Sequence, residues 1–389
     1  MLEVSRLALN EMERAVSLKV SFFGSLRPGY GRNVILVKGL KKCGVTISAY
    51  GPEAPVFTAD DLIPAGRKLP VRQFFRLSAR SLGNLAAQRA MEDYDLLLVS
   101  FLGHQDLPLL SISAKLRGKS LVFDPFLSIY DTIVGDRNLI ASGSLTAKLT
   151  RFGESLALKL PDIVIADTNE QARFYDKELG VDSSKLRTVY VGADEDYFFP
   201  REMKATGDTF RVLFYGKYAP LHGVNRIVEA AHILRREAIS FQLIGKGQTY
   251  GQTRELASKF DLTNIKFVDW VEYGELPAEI AGSDVCLGIF GDTEKAKRVI
   301  PTKVFQCLAM KKPVVTSNTP AAREALTDHV DALLCDANSP ERLADAILEL
   351  KSDEGLRNRI AANGFRTFTD RFSTECVGTE LLRIFQSLW

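Results

Sequence analysis

The sequence predicts an α/β chain of two domains, each a doubly wound parallel sheet. Three observations predict it. Short apolar runs alternate with helical stretches from Leu18 onward, the order that βαβ units require. A fresh series of the same kind begins at Phe210, after a polar, unpatterned stretch over residues 201–208 that reads as a linker. A length of 389 residues is also long for one hydrophobic core and suits about two.

Composition narrows the function classes. Hydrophobic residues make up 46% and charged residues 25%, an ordinary soluble globular balance. A net charge of +2 is too mild to imply nucleic acid. The five cysteines, Cys43, Cys286, Cys307, Cys335 and Cys376, are dispersed without a C-x-x-C pair. Only Cys335 has a histidine close by, His329, and one such pair is no ligand set. Neither a disulfide framework nor a metal site is expected, and the cysteine usage points to a reducing cytoplasm. No apolar run nears the ~20 residues that span a bilayer. Glu3, Glu11 and Glu13 are wrong for a secretory signal.

In chain order, residues 18–23 form the first strand, which enters a glycine-bearing loop at Gly24 and then a helix to about Cys43. Such a loop lets a ligand approach backbone N–H groups, and Arg27 and Arg32 favour an anion there. The G-x-G-x-x-G fingerprint is missing, so a plain βα turn fits the residues as well. Residues 67–89 carry Arg72, Arg76 and Arg80 beside a stripe of Phe75, Ala79, Leu82 and Ala86. That helix either rests on an anionic membrane surface or packs on its own domain.

Strands over residues 94–99 and Ser120–Phe123 end in polar loops holding His104, Asp106, Asp124 and Asp131. Loops at the carboxyl ends of parallel strands are where open α/β sheets place ligands, so these are candidates for substrate hydroxyls or proton handling. Each also suits a turn or helix cap. Asp124 is favoured because it leaves a strand directly. Residues 136–151 read as a mobile loop leading into a helix over 149–160. Then come a buried strand at 162–168, a helix over Asn169–Leu179 and a short strand at Val189 with a Gly-Ala-Asp turn.

The second series has strands at Phe210–Tyr215, 240–244, 265–269, 285–289, 313–317 and 332–335, with helices between. The first two strands lead into loops with a base and glycines, Gly216 to Gly223 and Gly245 to Gly251. Each meets a helix N-terminus, the arrangement that cradles phosphate. Helices also open at Pro301 and Pro320, near Lys295, Lys297, Arg298 and Lys303. The cluster either neutralises a nucleotide diphosphate or forms a solvated helix face. Residues 353–389 read as helical, with breaks near Gly364 and Ser373.

The pieces VYVGADEDYFFP, VLFYGKYAPLHGVNRIVEAA, FQLIGKGQ, IKFVDWVEYGELPAEIAGSDVCLGIF and PTKVFQCLAMKKPVVTSNTPAAREAL stand in this order over roughly residues 162–350. Together they resemble the retaining glycosyltransferases of family 4, in the group 1 glycosyl transferases. The resemblance implies the GT-B fold, two facing Rossmann-like domains with parallel sheets and an interdomain cleft. It divides the chain into an acceptor-binding domain at 1–200, a nucleotide-sugar domain at 201–365 and a terminal helix at 366–389. That last helix either crosses back onto the first domain or packs on the second.

By the same resemblance, Lys217 and His222 stand where the family holds the donor diphosphate with Arg and Lys. Arg298 and Gln306 stand where it has paired glutamates. Arg298 cannot accept the sugar hydroxyls that a glutamate would, while Gln306 can still bind ribose. Gly245, Gly247 and the backbone of Thr302, Lys303 and Val304 would line the donor. Residues 269–271 would lie beside the base, with Trp270 and Val271 there and Trp270 read as core rather than stacking partner. Glu294 is a candidate to replace the lost sugar contact. The family's catalytic histidine falls near Asp124, with His104 in the preceding loop.

The implied reaction moves a sugar, with retention, from a UDP- or GDP-sugar to a glycan or lipid-linked hydroxyl, without metal or other cofactor. The cysteine usage and the basic stretch at 67–89 give the expected setting, cytoplasmic with peripheral membrane contact through 67–89. Two other readings stay open. The missing glutamates suit a non-catalytic glycosyltransferase-like scaffold. Gly245, Gly247 and Gly251, with Asp269 ending the next strand, suit an NAD(P)-dependent oxidoreductase, although the glycine spacing is off by one.

Overall fold

The computed structural model describes residues 18–24, 26, 31–50, 93–101, 103–104, 106–201 and 209–389. Arg27, the basic segment 67–89 and residues 202–208 lie outside the described residues. Two compact units emerge. One comprises Met1–Val134, Asn138–Tyr190 and Thr374–Trp389, the other Gly135–Arg137 and Val191–Ser373.

The first unit holds β1 (Lys19–Phe23), α1 (Gly31–Lys42), β2 (Thr46–Tyr50), β3 (Leu96–Val99), α2 (Leu107–Leu116) and β4 (Ser120–Phe123). A π-helical turn at Asp131–Asp136 precedes α3 (Leu145–Lys159), β5 (Ile163–Ala166), α4 (Asn169–Leu179) and β6 (Leu186–Thr188). The sheet is parallel throughout, in the order β2-β1-β3-β4-β5-β6. β3 and β5 are buried along their whole length, as parallel strands covered on both faces must be. One face packs Leu97, Val99, Leu121, Phe123, Val164 and Ala166 under α2, α3 and α4. The other packs Val20, Phe22, Leu96, Leu98, Val122 and Ile163 under α1.

A terminal helix, α12 (Thr374–Gln386), completes that second face by burying Val377, Leu381, Ile384 and Phe385. It crosses α1 at two glycines. A Cβ on Gly378 would lie 2.2 Å from the Gly39 carbonyl carbon, so neither position has room for a side chain.

The second unit runs β7 (Phe210–Tyr215), α5 (Val224–Ile233), β8 (Ile239–Ile244), α6 (Tyr250–Lys259), β9 (Ile265–Val268) and α7 (Leu276–Ala281). It continues through β10 (Val285–Leu287), α8 (Thr302–Ala309), β11 (Val314–Ser317), α9 (Pro320–Ala325), β12 (Leu333–Cys335), α10 (Pro340–Ser352) and α11 (Glu354–Arg371). Its parallel sheet has the order β12-β11-β10-β7-β8-β9. From β7 the chain winds outward through β8 and β9, then returns to the other side of β7 with β10. The β7/β10 junction is therefore the switch point, where the loops leaving the two carboxyl ends diverge and open a crevice.

Three local expectations are corrected. The strand expected at Val189 ends at Thr188, because its ladder with β5 pairs Leu186 to Thr188. Helix α3 begins at Leu145 and not 149, since Ser144 caps it by accepting from the Ala147 amide. Helix α2 follows the polar loop at 103–106, over residues to which the sequence pattern assigns no element. The break expected near Gly364 is absent: α11 passes through it, and the glycine admits Leu308 Cδ2 within 2.7 Å of where a Cβ would be.

Candidate functional site

In the second unit the loops after β7, β8 and β10 are fastened to one another by backbone. Tyr218 donates its amide to Lys246 O at 3.0 Å, and Thr249 returns one to Tyr218 O at 2.9 Å. Phe290 donates to His222 O at 3.0 Å and Gly291 to Leu221 O at 3.1 Å. Two glycines make this approach possible. At Gly245, with φ +121°, a Cβ would lie 2.0 Å from Gly216 O. At Gly223, with φ +59°, it would lie 2.3 Å from the Phe290 carbonyl carbon. Gly247 likewise faces the Tyr218 amide. These glycines serve loop-to-loop contact first.

Lys303 sits in the first turn of α8 and is buried at 6% exposure. Its Nζ lies 3.9 Å from the centroid of the Phe214 ring and 3.5 Å from Gly288 O. The same Nζ is 3.1 Å from where a Gly216 Cβ would project, and His222 Cε1 is 3.5 Å from that point. The structure thus brings Gly216, His222 and Lys303 together at the β7/β10 switch point. Burial pushes Lys303 down to about 7, and among the described residues no carboxylate offsets it.

His222 gives its Nδ1 proton to Lys217 O. Burial first, then the Lys303 charge, hold this imidazole well below its ordinary range, with Arg137 and Lys295 adding to the effect. It is therefore neutral at pH 7, and its positive surroundings come from lysine and arginine. Lys295 is buried as well. Thr302 and Lys303 open α8 behind Pro301, which provides no side-chain cap. Val304 is further in, its amide already given to Pro301 O at 2.9 Å.

The remaining candidates divide. Gln306 is buried and its Oε1 accepts from Tyr215 Oη at 2.9 Å, so that oxygen is taken up inside the unit. Glu294 turns outward to pair with Lys297 at 2.6 Å. Arg298 is half-buried and donates its amide to Lys295 O at 3.0 Å. Trp270 is corrected: read as core, it is 73% exposed, its indole N–H reaching Glu272 at 3.2 Å. Val271 beside it is half-buried. Asp269 is held at the surface by Lys246 at 2.7 Å and Tyr250 Oη at 2.6 Å. Lys217 is exposed.

In the first unit Asp124 follows β4 with both carboxylate oxygens on Arg32, Nε at 2.9 Å and Nη2 at 3.5 Å. Arg32 Nη1 also reaches Tyr190 O at 2.6 Å. The pair is buried, and joins the first helix to the centre of the sheet. His104 is buried with neither ring nitrogen hydrogen-bonded among the described residues, its edge against Phe123. Burial lowers it to about 4, so at neutral pH it is uncharged and its 3.9 Å approach to Glu154 is no ion pair. Gly24 closes β1 with Asn33 Nδ2 3.1 Å from its Cβ position.

Sequence reasoning missed Arg137, Tyr215 and Glu154, which accepts from Ser128 Oγ and the amides of Ile129 and Tyr130. A carboxylate on the buried face of α3 was the one available signal.

Residues 198–367 match the family model described as glycosyl transferases group 1. That match spans most of the second unit. Among curated proteins, an uncharacterized glycosyltransferase of Methanocaldococcus jannaschii is 25% identical over 51% of this chain and 53% of its own. The lipopolysaccharide core biosynthesis glycosyltransferase LpsD of Rhizobium meliloti is 25% identical over 47% and 51%. The chain spans about half the length of these relatives. A GDP-mannose-dependent phosphatidylinositol monomannoside mannosyltransferase of Mycobacterium tuberculosis is 26% identical over 76% and 77%.

Among solved structures, sucrose-phosphate synthase of Thermosynechococcus elongatus superposes with TM-score 0.71, at 16% identity over 95% of this chain and 99% of that one. Anabaena HepE in complex with UDP and glucose gives 0.65, at 15% identity over 95% and 100%. The fold is GT-B, and the loops just described lie in the segment that matches the family model.

Proposed function

We propose that this chain is a glycosyltransferase that moves a sugar, with retention, from a nucleoside diphosphate sugar to a hydroxyl acceptor. The observation that carries the proposal is Lys303, a buried amine at the switch-point crevice with no carboxylate beside it among the described residues. A cation placed so expensively needs an anion, and a diphosphate at Gly216 would supply it. Lys295 and Arg137 deepen the positive potential around His222. The bare Nε2 of neutral His222 accepts a hydrogen bond and suits a sugar hydroxyl better than a phosphate.

Bond breaking at the anomeric carbon leaves negative charge on the diphosphate, and Lys303 with the first amides of α8 would stabilise it. No resident cofactor takes part in the reaction as proposed. The names of the relatives and of the UDP-bound neighbour support UDP or GDP as donor and a glycan or lipid-linked acceptor in cell-surface synthesis.

Binding of UDP and GDP, measured by calorimetry on wild type and Lys303→Met, tests the reading. The variant should bind at least about tenfold more weakly, the worth of one charge-assisted hydrogen bond. Equal affinity would remove the proposal. A non-catalytic scaffold has one observation in its favour, the engagement of Gln306 Oε1 by Tyr215. Slow release of free sugar from a bound nucleotide sugar argues against it. The oxidoreductase reading loses its main support, since Gly245 and Gly247 abut loop backbone.

A further inference from the structure

Helix α3 exposes an apolar row. Leu145, Leu149, Phe152 and Leu156 are 72%, 60%, 63% and 50% exposed. At about 100° per residue they fall within roughly 60° of arc, one straight stripe about 16 Å long. The opposite side of the same helix buries Ala147, Glu154, Ala157 and Leu158, so the stripe is not needed for folding of the unit. Helix α2 adds a second row, Ile112 and Leu116 at 58% and 81% exposure. Right-handed crossovers running one way across β3, β4 and β5 put α2 and α3 side by side on one face.

The charges around these rows are mainly basic, and the exposed acids nearby, Glu178 and Asp93, are paired with Arg151 and Lys119 at 3.1 Å each. Lys115 and Arg117 flank the α2 row, while Lys148 and Lys159 border the α3 stripe, all of them exposed. The one acid in α3, Glu154, is buried, and α2 has none. Helix α4 in the same layer is the control: its exposed charged residues are Arg173, Asp176, Lys177 and Glu178, an ordinary mixed solvated face. Isolated exposed leucines need no explanation, but a contiguous row bordered mainly by cations does.

We propose that the α2–α3 face docks on an anionic lipid bilayer surface, apolar row inserted and lysines on the headgroups. Charge decides between this occupant and a second copy of the chain. A two-fold interface would bring the same lysines face to face across an apolar centre, which is repulsive. Anionic headgroups neutralise them, and an apolar stripe with flanking lysines is what interfacial helices present.

Co-sedimentation of the full chain with phosphatidylglycerol–phosphatidylcholine vesicles, and with phosphatidylcholine alone, tests the inference. Wild type should partition onto the anionic vesicles at least about tenfold better. Leu149→Glu with Phe152→Glu, and separately Lys115→Glu with Lys148→Glu, should each abolish the difference while leaving nucleotide binding intact. Phe152→Trp supplies a signal independent of any loss of folding: its fluorescence should shift to shorter wavelength on anionic vesicles and stay put on neutral ones. Unshifted fluorescence, equal partition of the two double variants with wild type, or a concentration-dependent dimer broken by Leu149→Glu would each overturn the proposal. Because nucleotide binding is scored separately, loss of the donor reading and loss of the membrane reading remain distinguishable.

Discussion

Lys303 is the residue where sequence position and environment matter most differently. Lysine at the start of a helix is ordinary; lysine buried there, with a pKa lowered to about 7, is poised for an anion. Below pH 7 the ammonium is already present, and above it the free protein must take up a proton to meet a diphosphate. Binding of UDP or GDP should therefore be level below about pH 7 and weaken by up to about tenfold per pH unit above it. Lys303→Met should flatten the profile. Titrations in buffers of different ionisation enthalpy would detect the proton directly, and a flat wild-type profile would count against Lys303 as the phosphate ligand.

Asp124 illustrates the opposite case. Its carboxylate is bound to Arg32 on both oxygens, inside the unit. Asp124→Asn would strand a buried guanidinium and should cost roughly 3–5 kcal/mol. Denaturant unfolding measures it; a loss under about 1 kcal/mol would mean that water reaches the pair.

At the scale of elements, glycines settle which segments meet. The α1–α12 crossing has no room for a methyl group at Gly39 or Gly378. Gly378→Ala should destabilise by about 1–3 kcal/mol through overpacking. Gly153, in α3 with nothing within 4 Å of its Cβ position, should do the reverse. Gly153→Ala should stabilise by about 0.5–1 kcal/mol, the ordinary helix preference of alanine. Opposite signs in midpoint denaturant concentration check the pair together. The sequence presented both as glycines within helical patterns, and their neighbours alone distinguish them.

At the scale of the whole chain, each unit carries its own sheet and core, and the last helix belongs to the first unit's core. Removing Thr374–Trp389 should therefore lower the stability of the first unit while leaving the thermal shift produced by UDP or GDP on the second. Loss of the nucleotide shift would tie the donor loops to the terminal helix. If the proposed reaction proceeds on lysine and amide charge, turnover in EDTA should stay within about twofold of the untreated enzyme, a ratio that chelation of a required metal would exceed by orders of magnitude.

Much of this architecture was legible beforehand because parallel strands buried on both faces announce themselves as apolar runs. Phe210–Tyr215 and Ser120–Phe123 were read to the residue, and the basic loop around Lys303 was visible as lysine next to a helix start. β2 and α2 were missed, and Trp270 was assigned to the core when it stands in solvent. Local pattern records how apolar a segment is, which suffices to say that it must be covered. It does not record which neighbour covers it. That Lys303 lies under Gly216 with no carboxylate beside it among the described residues, that Asp124 belongs to Arg32, and that Leu149 and Phe152 face outward are all consequences of partners far away in the chain. Such partners come together only when the sheets form and their loops are drawn to one end.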